Sequence, residues 1–258
     1  MILTNAPVIA HERIAENIMR LTMYAPEIAS SSLPGQFVNV RTVNSWDPLL
    51  RRPLSLNRIC RDSGTISTLY KVVGRGTSLL ALAVVGDLID VLGPLGNGFS
   101  LNSACKHAIL LGGGIGVAPL FPLAQELTQR GVMVTCALGA RSSTDLMEYE
   151  ELTNLGCDVL LATDDGTAGF AGSVGELLKR KLPTLNADIV FACGPNPMLA
   201  HTKITCQEMG IPLQISLEAH MACGLGVCLG CTCQMGDGSG FHHVCTDGPV
   251  FWAEEVKF

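Results

Sequence analysis

The sequence predicts a mixed architecture: an antiparallel β-barrel over residues 1–99, a parallel-sheet α/β unit over 100–211, and a small cysteine-rich segment over 212–258. Three observations carry that division. Short β-type runs separated by turn residues fill the first stretch. After Phe99, apolar runs of strand length alternate with helical patterns. From Cys223 onward, cysteines and glycines replace both.

Composition sets the outer bounds. With 258 residues, 48% hydrophobic and 16% charged, the chain can bury a sizeable core and carries little surface charge. A formal net charge of −6 without a Lys/Arg cluster argues against nucleic acid as a partner. The apolar runs are broken by Gly or Pro well short of a membrane span, and Met1–Ala10 lacks the basic and apolar regions of a signal peptide. Eleven cysteines is an odd number, and Cys60, Cys105, Cys136, Cys157, Cys193 and Cys206 lie mostly in apolar surroundings, as reduced core thiols do. A cytoplasmic chain with no membrane contact is the expectation.

In the barrel, Ile18–Met23, Phe37–Val40 and Thr65–Tyr70 read as strands, punctuated by Pro34-Gly35, Asp62-Ser63-Gly64 and Gly93-Pro94. Two places carry chemistry. Arg51-Arg52-Pro53-Leu54-Ser55 opens a strand and offers a guanidinium and a hydroxyl to one phosphate; a solvated pair of arginines is the plain alternative. Tyr70-Lys71-Val72-Val73-Gly74-Arg75-Gly76-Thr77 runs from a strand through a glycine turn into a helix starting at Thr77 or Ser78. The free N–H groups of that start favour an anion, although the glycines also suit an ordinary turn.

In the α/β unit, the strand Ala108–Leu111 runs into Gly112-Gly113-Gly114-Ile115-Gly116 and then a helix from Leu120 to Arg130. Strand, glycine turn and helix is the order a dinucleotide site needs, with Val117 where G-x-G-x-x-G has its third glycine. Strands at Val132–Leu138, Val159–Ala162 and Ile189–Cys193 alternate with helices near Asp145–Leu155, Val174–Lys181 and Pro197–Met209. Ligand loops are then expected at Gly112–Gly116, Gly139–Arg141, Thr163–Gly166 and Gly194–Met198. Arg141 suits a 2′-phosphate or plain solvent. Asp164-Asp165 reads as a solvated loop, and no acid/base dyad or nucleophile triad stands out.

The C-terminal cysteines are the most specific signal. Four residues separate Cys223 from Cys228, two separate Cys228 from Cys231, and thirteen lead on to Cys245. This is the plant-type ferredoxin spacing for a [2Fe–2S] cluster. Zinc is the competing reading, because Cys228-x2-Cys231 is also a zinc knuckle, but a second Cys pair is missing and only His242 and His243 precede Cys245. A zinc-stabilised interaction module therefore stays open, as does Cys233 in place of Cys231.

Arg52-Pro53-Leu54-Ser55 resembles the Arg-x-Tyr-Ser motif of the ferredoxin reductase superfamily, with Leu54 at the Tyr position. Cys193-Gly194-Pro195-Asn196-Pro197-Met198 is similar to that superfamily's Cys-Gly-Pro-x-Pro-Met loop, which lies beside the nicotinamide. Together with Tyr70–Thr77, Gly112–Pro119 and Glu218–Cys231, these motifs make nearly the whole chain resemble the electron-transfer subunits of NAD-linked (class B) dihydroorotate dehydrogenases. The resemblance implies FAD contacts at Arg52, Pro53, Leu54, Ser55, Leu69, Tyr70, Lys71, Gly76 and Thr77, in a flavin-binding barrel. It implies NAD across Gly112, Gly113, Gly114, Gly116, Cys193, Gly194 and Pro195, and cluster ligands Cys223, Cys228, Cys231 and Cys245. A separate FMN-containing dihydroorotate dehydrogenase catalytic subunit would oxidise dihydroorotate in pyrimidine (UMP) biosynthesis, in a heterotetramer of two subunits of each kind. Electrons would pass through the [2Fe–2S] cluster and FAD to NAD+. Relatives with the same modules and another partner, such as sulfide dehydrogenase or NADH–ferredoxin–NADP oxidoreductase subunits, are the runner-up.

Overall fold

The computed structural model describes residues 1–43 and 45–258 of the chain. Six strands, β1 (Ile2–Ala15), β2 (Ile18–Tyr24), β3 (Phe37–Val40), β4 (Arg52–Cys60), β5 (Thr65–Lys71) and β6 (Leu88–Leu95), close a barrel in the order β1-β2-β5-β4-β3-β6. Neighbouring strands are antiparallel. Inward side chains such as Leu21, Met23, Val38, Val40, Leu54, Leu56, Ile66 and Val91 fill it. Helix α1 (Pro26–Ser31) follows β2, and α2 (Arg75–Leu80) follows β5, starting two residues before Thr77.

Gly93-Pro94, expected as a turn, lies inside β6. The register between β3 and β6 shifts between Phe37↔Leu95 and Asn39↔Leu92, and this bulge is where a proline without an N–H is tolerated. Strand β1 escapes the sequence reading because Asn5 and Pro7 interrupt its alternation.

Beyond the barrel come β7 (His107–Gly113), α3 (Leu120–Gln129), β8 (Met133–Ala140), α4 (Tyr149–Asn154), β9 (Asp158–Thr163) and β10 (Phe170–Ala171). Then follow α5 (Val174–Leu185), β11 (Ile189–Cys193), α6 (Asn196–Met209) and β12 (Leu213–Ser216). A hairpin of β13 (Thr232–Gln234) and β14 (Phe241–His243) precedes β15 (Val250–Trp252). The large sheet runs β10-β9-β8-β7-β11-β12-β15, parallel throughout except for β15. Helix α4 is shorter than the expected 145–155 span because Glu148 sits in the left-handed region, φ 66°, and breaks the pattern before Tyr149.

Each face of the sheet has its own core. One packs Ile109, Leu111 and Val190 against Leu177, Leu178 and Leu199 of α5 and α6, and extends to Phe37 and Leu95 of the barrel and to Cys231 and Cys245. The other packs Leu110 and Phe191 against Leu120, Leu123 and Leu127 of α3, and takes in Ile18 and Leu69 from the barrel's outer surface. The segment 217–249 leaves the sheet after β12 and returns into β15, the strand beside it. Its neck is closed by the Leu217 N–H donating to the Pro249 carbonyl at 2.9 Å. No helix among the described residues is long and apolar enough to cross a membrane.

A buried ion network unforeseen from the sequence joins barrel to sheet. Glu148, its side chain fully buried, accepts from Arg20 of β2 at 2.7 Å and from Arg58 of β4. The Arg58 guanidinium also lies 3.1 Å from the centre of the Phe121 ring.

Candidate cofactor-binding sites

The two adjacent arginines of β4 part company. Arg51 is held by both carboxylate oxygens of Asp90, at 2.9 and 2.8 Å, and so serves the barrel. Arg52 has no carboxylate within 4.0 Å among the described residues; its Nη1 donates to the Leu50 carbonyl at 2.5 Å. Its guanidinium lies on Gly76, where a Cβ would overlap it. Thr77 fixes this turn: its hydroxyl oxygen accepts from the N–H groups of Val73 (3.0 Å) and Gly74 (3.2 Å), and donates to the Gly74 carbonyl. An unpaired guanidinium thus meets the first-turn N–H groups of α2, a donor set that fits the phosphates of FAD.

Strand alternation sorts the remaining flavin candidates. Leu54 and Tyr70 point into the barrel core, so only their backbone is available to a cofactor. The Tyr70 hydroxyl donates to His11 Nε2 at 2.9 Å, with His11 Nδ1 donating to the Ala83 carbonyl, and burial pushes the phenol pKa up. Pro53 and Ser55 are partly exposed on the other side of β4. Leu69 is buried between barrel and sheet, while Lys71 is exposed at the end of β5.

A cleft of about 730 Å³ opens where the barrel meets the carboxyl ends of the sheet strands. Gly113, Gly114, Gly116, Gly194 and Pro195 line it, and so does Lys71 from the barrel. Gly112 and Cys193 lie behind the wall, and the other flavin candidates lie outside this cleft. The glycine turn and the loop after β11 are packed together, because β7 and β11 are parallel neighbours with Gly112 opposite Cys193. A Cβ on Gly116 would overlap the Cys193 carbonyl. Burial pushes the Cys193 thiol up to about 12, so it is a neutral core thiol.

Asn17 and Glu218 also line the cleft. The walls crowd Glu218 without covering it, and this desolvation raises its carboxyl pKa. At the far end Arg141 reaches Asp145 at 3.4 Å. Sequence patterns do not find Asn17 or Glu218 as site residues, since tertiary packing alone brings them to the nucleotide loops.

Four cysteines come together as two pairs. The Cys223 and Cys228 side chains are neighbours, as are those of Cys245 and Cys231. Backbone N–H groups point at the sulfurs: Leu225 and Cys228 donate to Cys223 Sγ at 3.3 and 3.4 Å, and Gly226 donates to Cys245 Sγ at 3.1 Å. Desolvation works against ionisation of Cys223, but these donors and the Cys228 side chain outweigh it and bring the thiol down to about 6. Cys245 is pushed up to about 11 by desolvation and by Cys231 beside it.

Among the described residues no three His, Cys, Asp or Glu side chains converge on one point to hold a single ion. Two pairs of thiols within N–H donors suit two irons bridged by sulfides better than one tetrahedral zinc. Cys231 is buried and stands with Cys245; Cys233, in β13 opposite His242, is partly exposed.

Residues 218–257 match the model of the iron-sulfur cluster binding domain of dihydroorotate dehydrogenase B. The chain is 44% identical over 246 residues to the dihydroorotate dehydrogenase B (NAD+) electron transfer subunit of Bacillus caldolyticus, covering 94% of each chain. It is 38% identical over 259 residues to the subunit of the same name from Desulforamulus reducens, covering 98% of this chain and 97% of that one. Among solved structures, an NADH-dependent reduced ferredoxin-NADP oxidoreductase superposes with a TM-score of 0.88 at 31% identity, covering 98% of this chain and 90% of the other. A ferredoxin NADP+ reductase from Neisseria gonorrhoeae with bound FAD and NADP shares the fold, with a TM-score of 0.69 at 20% identity over 81% of this chain and 92% of that one.

Proposed function

Because the chain belongs to the family of dihydroorotate dehydrogenase B (NAD+) electron transfer subunits, we propose that it carries electrons from a dihydroorotate-oxidising partner through a [2Fe–2S] cluster and FAD to NAD+. The paired cysteines 223/228 and 231/245, in plant-type spacing on a loop against the flavin-type barrel, are the observation that carries this reading. The partner is an FMN-containing catalytic subunit in a heterotetramer of two of each, working in the cytoplasm in de novo pyrimidine biosynthesis.

Bound flavin supplies the exchange between single electrons and hydride. The chain's own residues bind, orient and exclude water. Arg52 and the N–H groups at the start of α2 would hold the flavin's phosphates, and Pro53, Ser55 and the backbone of Leu54, Leu69 and Tyr70 would hold the rest of the cofactor. Gly113, Gly114, Gly116, Gly194 and Pro195 would let the nucleotide come close, backed by Gly112 and Cys193, and Lys71 and Glu218 stand in the same cleft. Ile18 and Leu69 keep the barrel–sheet seam dry.

A second reading, a subunit of a ferredoxin-linked NADH–NADP oxidoreductase, is favoured by the 0.88 superposition. Affinity purification of the chain from its own cells separates the two. Recovery of an FMN protein, with flavin bleaching on addition of dihydroorotate, supports the first; bleaching by reduced ferredoxin alone supports the second.

Two substitutions test the nucleotide sites. Arg52→Ala removes a charge-assisted bond worth about 1.5–3 kcal/mol, so FAD affinity falls roughly ten- to a hundredfold in flavin-release titrations. Unchanged affinity removes Arg52 from the site. Gly116→Val forces the glycine turn off the Cys193 carbonyl, and the KM for NADH in ferricyanide reduction rises while the FAD content stays at the wild-type level. A normal KM would place the nucleotide elsewhere.

A further inference from the structure

We infer that Asn39 is a positioning residue that holds the cluster loop against the flavin strand and so sets the electron route between the two. The inference rests on the flavin and cluster sites proposed above. Val38 and Val40 point into the barrel, whereas Phe37 belongs to the core that also takes in Cys231 and Cys245, so this outward side of β3 faces the cluster segment. Register places Asn39 opposite Pro53 and Phe37 opposite Ser55, the outward residues of the flavin-type motif. Asn39 is 1% exposed, and its Nδ2 donates to the Cys223 carbonyl at 3.2 Å. Only the N–H end of the amide can face a carbonyl, which fixes its orientation. Its Oδ1 has no donor among the described residues, so the amide serves the loop rather than the barrel.

The next residue completes the fit. Gly224 has φ +70°, and a Cβ there would overlap the Asn39 amide. The first cluster cysteine is therefore fastened, through one partly buried hydrogen bond, to the strand that pairs with Arg52-Pro53-Leu54-Ser55. A neighbour of the flavin ring and a neighbour of the cluster are one side chain apart.

The test uses the whole chain loaded with FAD and cluster. Asn39→Asp keeps the volume and removes the donor, and Asn39→Ala removes the amide without adding bulk; Gly224→Ala displaces the amide by an independent route. In all three, NADH is expected to bleach FAD at the wild-type rate, with the following cluster reduction slowed and the EPR line shape of the reduced cluster shifted. Amide hydrogen exchange at 224–228 is expected to quicken about fivefold, the loss of one hydrogen bond. Wild-type exchange and wild-type cluster reduction in the Asn39 variants would overturn the inference, as would parallel loss of FAD and cluster, which marks a general fold defect. A wild-type chain lacking the cluster's EPR signal would instead sink the electron-relay reading, and this inference with it.

Discussion

Cys231→Ser is expected to abolish the [2Fe–2S] cluster, removing its visible absorbance and its reduced-state EPR signal, while Cys233→Ser leaves both intact. The two cysteines are two positions apart, and ligand spacing tolerates either. Packing separates them. Cys231 is 2% exposed and stands beside Cys245 within the core that carries the loop. Cys233 belongs to the β13–β14 hairpin, where its partner across the strand is His242. A serine oxygen is a poor ligand for iron that prefers thiolate, so one wrong atom in the Cys231–Cys245 pair leaves one iron half held. Electron delivery from the partner then stops while FAD stays bound, which flavin content and NADH–ferricyanide activity measure separately. A cluster that survives Cys231→Ser and disappears in Cys233→Ser would reassign the third ligand.

Glu148→Gln carries the largest stability cost. The carboxylate is fully buried and is shared by Arg20 and Arg58, whose side chains are 16% exposed. Taking away the negative charge leaves the two crowded guanidiniums with only the half-exposed Glu151, 3.4 Å from Arg20 and 4.0 Å from Arg58, and breaking a buried pair in this way costs about 3 kcal/mol, the low end of the usual range. For a chain of this length that lowers the unfolding midpoint by on the order of 10 °C. Because Arg20 and Arg58 belong to the barrel and Glu148 precedes α4, hydrogen exchange should also rise along the seam around Ile18, Leu69 and Phe121. A midpoint shift below about 2 °C would show that solvent or rearrangement compensates the charge. Paired replacement of Arg58 and Glu148 by apolar residues is expected to recover part of the loss.

What the sequence made legible follows physical locality. The parallel strands could be read because buried β7, β8 and β11 are continuous apolar runs, and the glycine turn after β7 because its backbone must come close to the strand beside it. The spacing of Cys223, Cys228 and Cys231 is local too. The barrel strands missed, β1 and β6, carry Pro7 and Pro94, whose cost is absorbed by long-range pairing invisible in a window of residues, and the short strands β10 and β12–β15 are too brief to show a period. The same holds at the sites. Adjacent Arg51 and Arg52 look alike in sequence and differ only because Asp90 is within reach of one. Asn39, Glu148 and Glu218 have no periodic signature. Their roles come from elements far along the chain that folding brings together.

The neck between β12 and β15 has a consequence for how such a chain is matured. The loop of segment 217–249 departs from one strand and re-enters on its neighbour, and the Leu217 N–H to Pro249 carbonyl bond ties the two ends without any help from iron. The sheet edge can therefore be completed by the polypeptide alone, and the barrel can take up its flavin before any metal arrives. Iron and sulfide would then meet a scaffold whose neck is already closed. Starvation for iron would leave a stock of flavin-loaded protein awaiting its cluster, not a pool of unfolded chains.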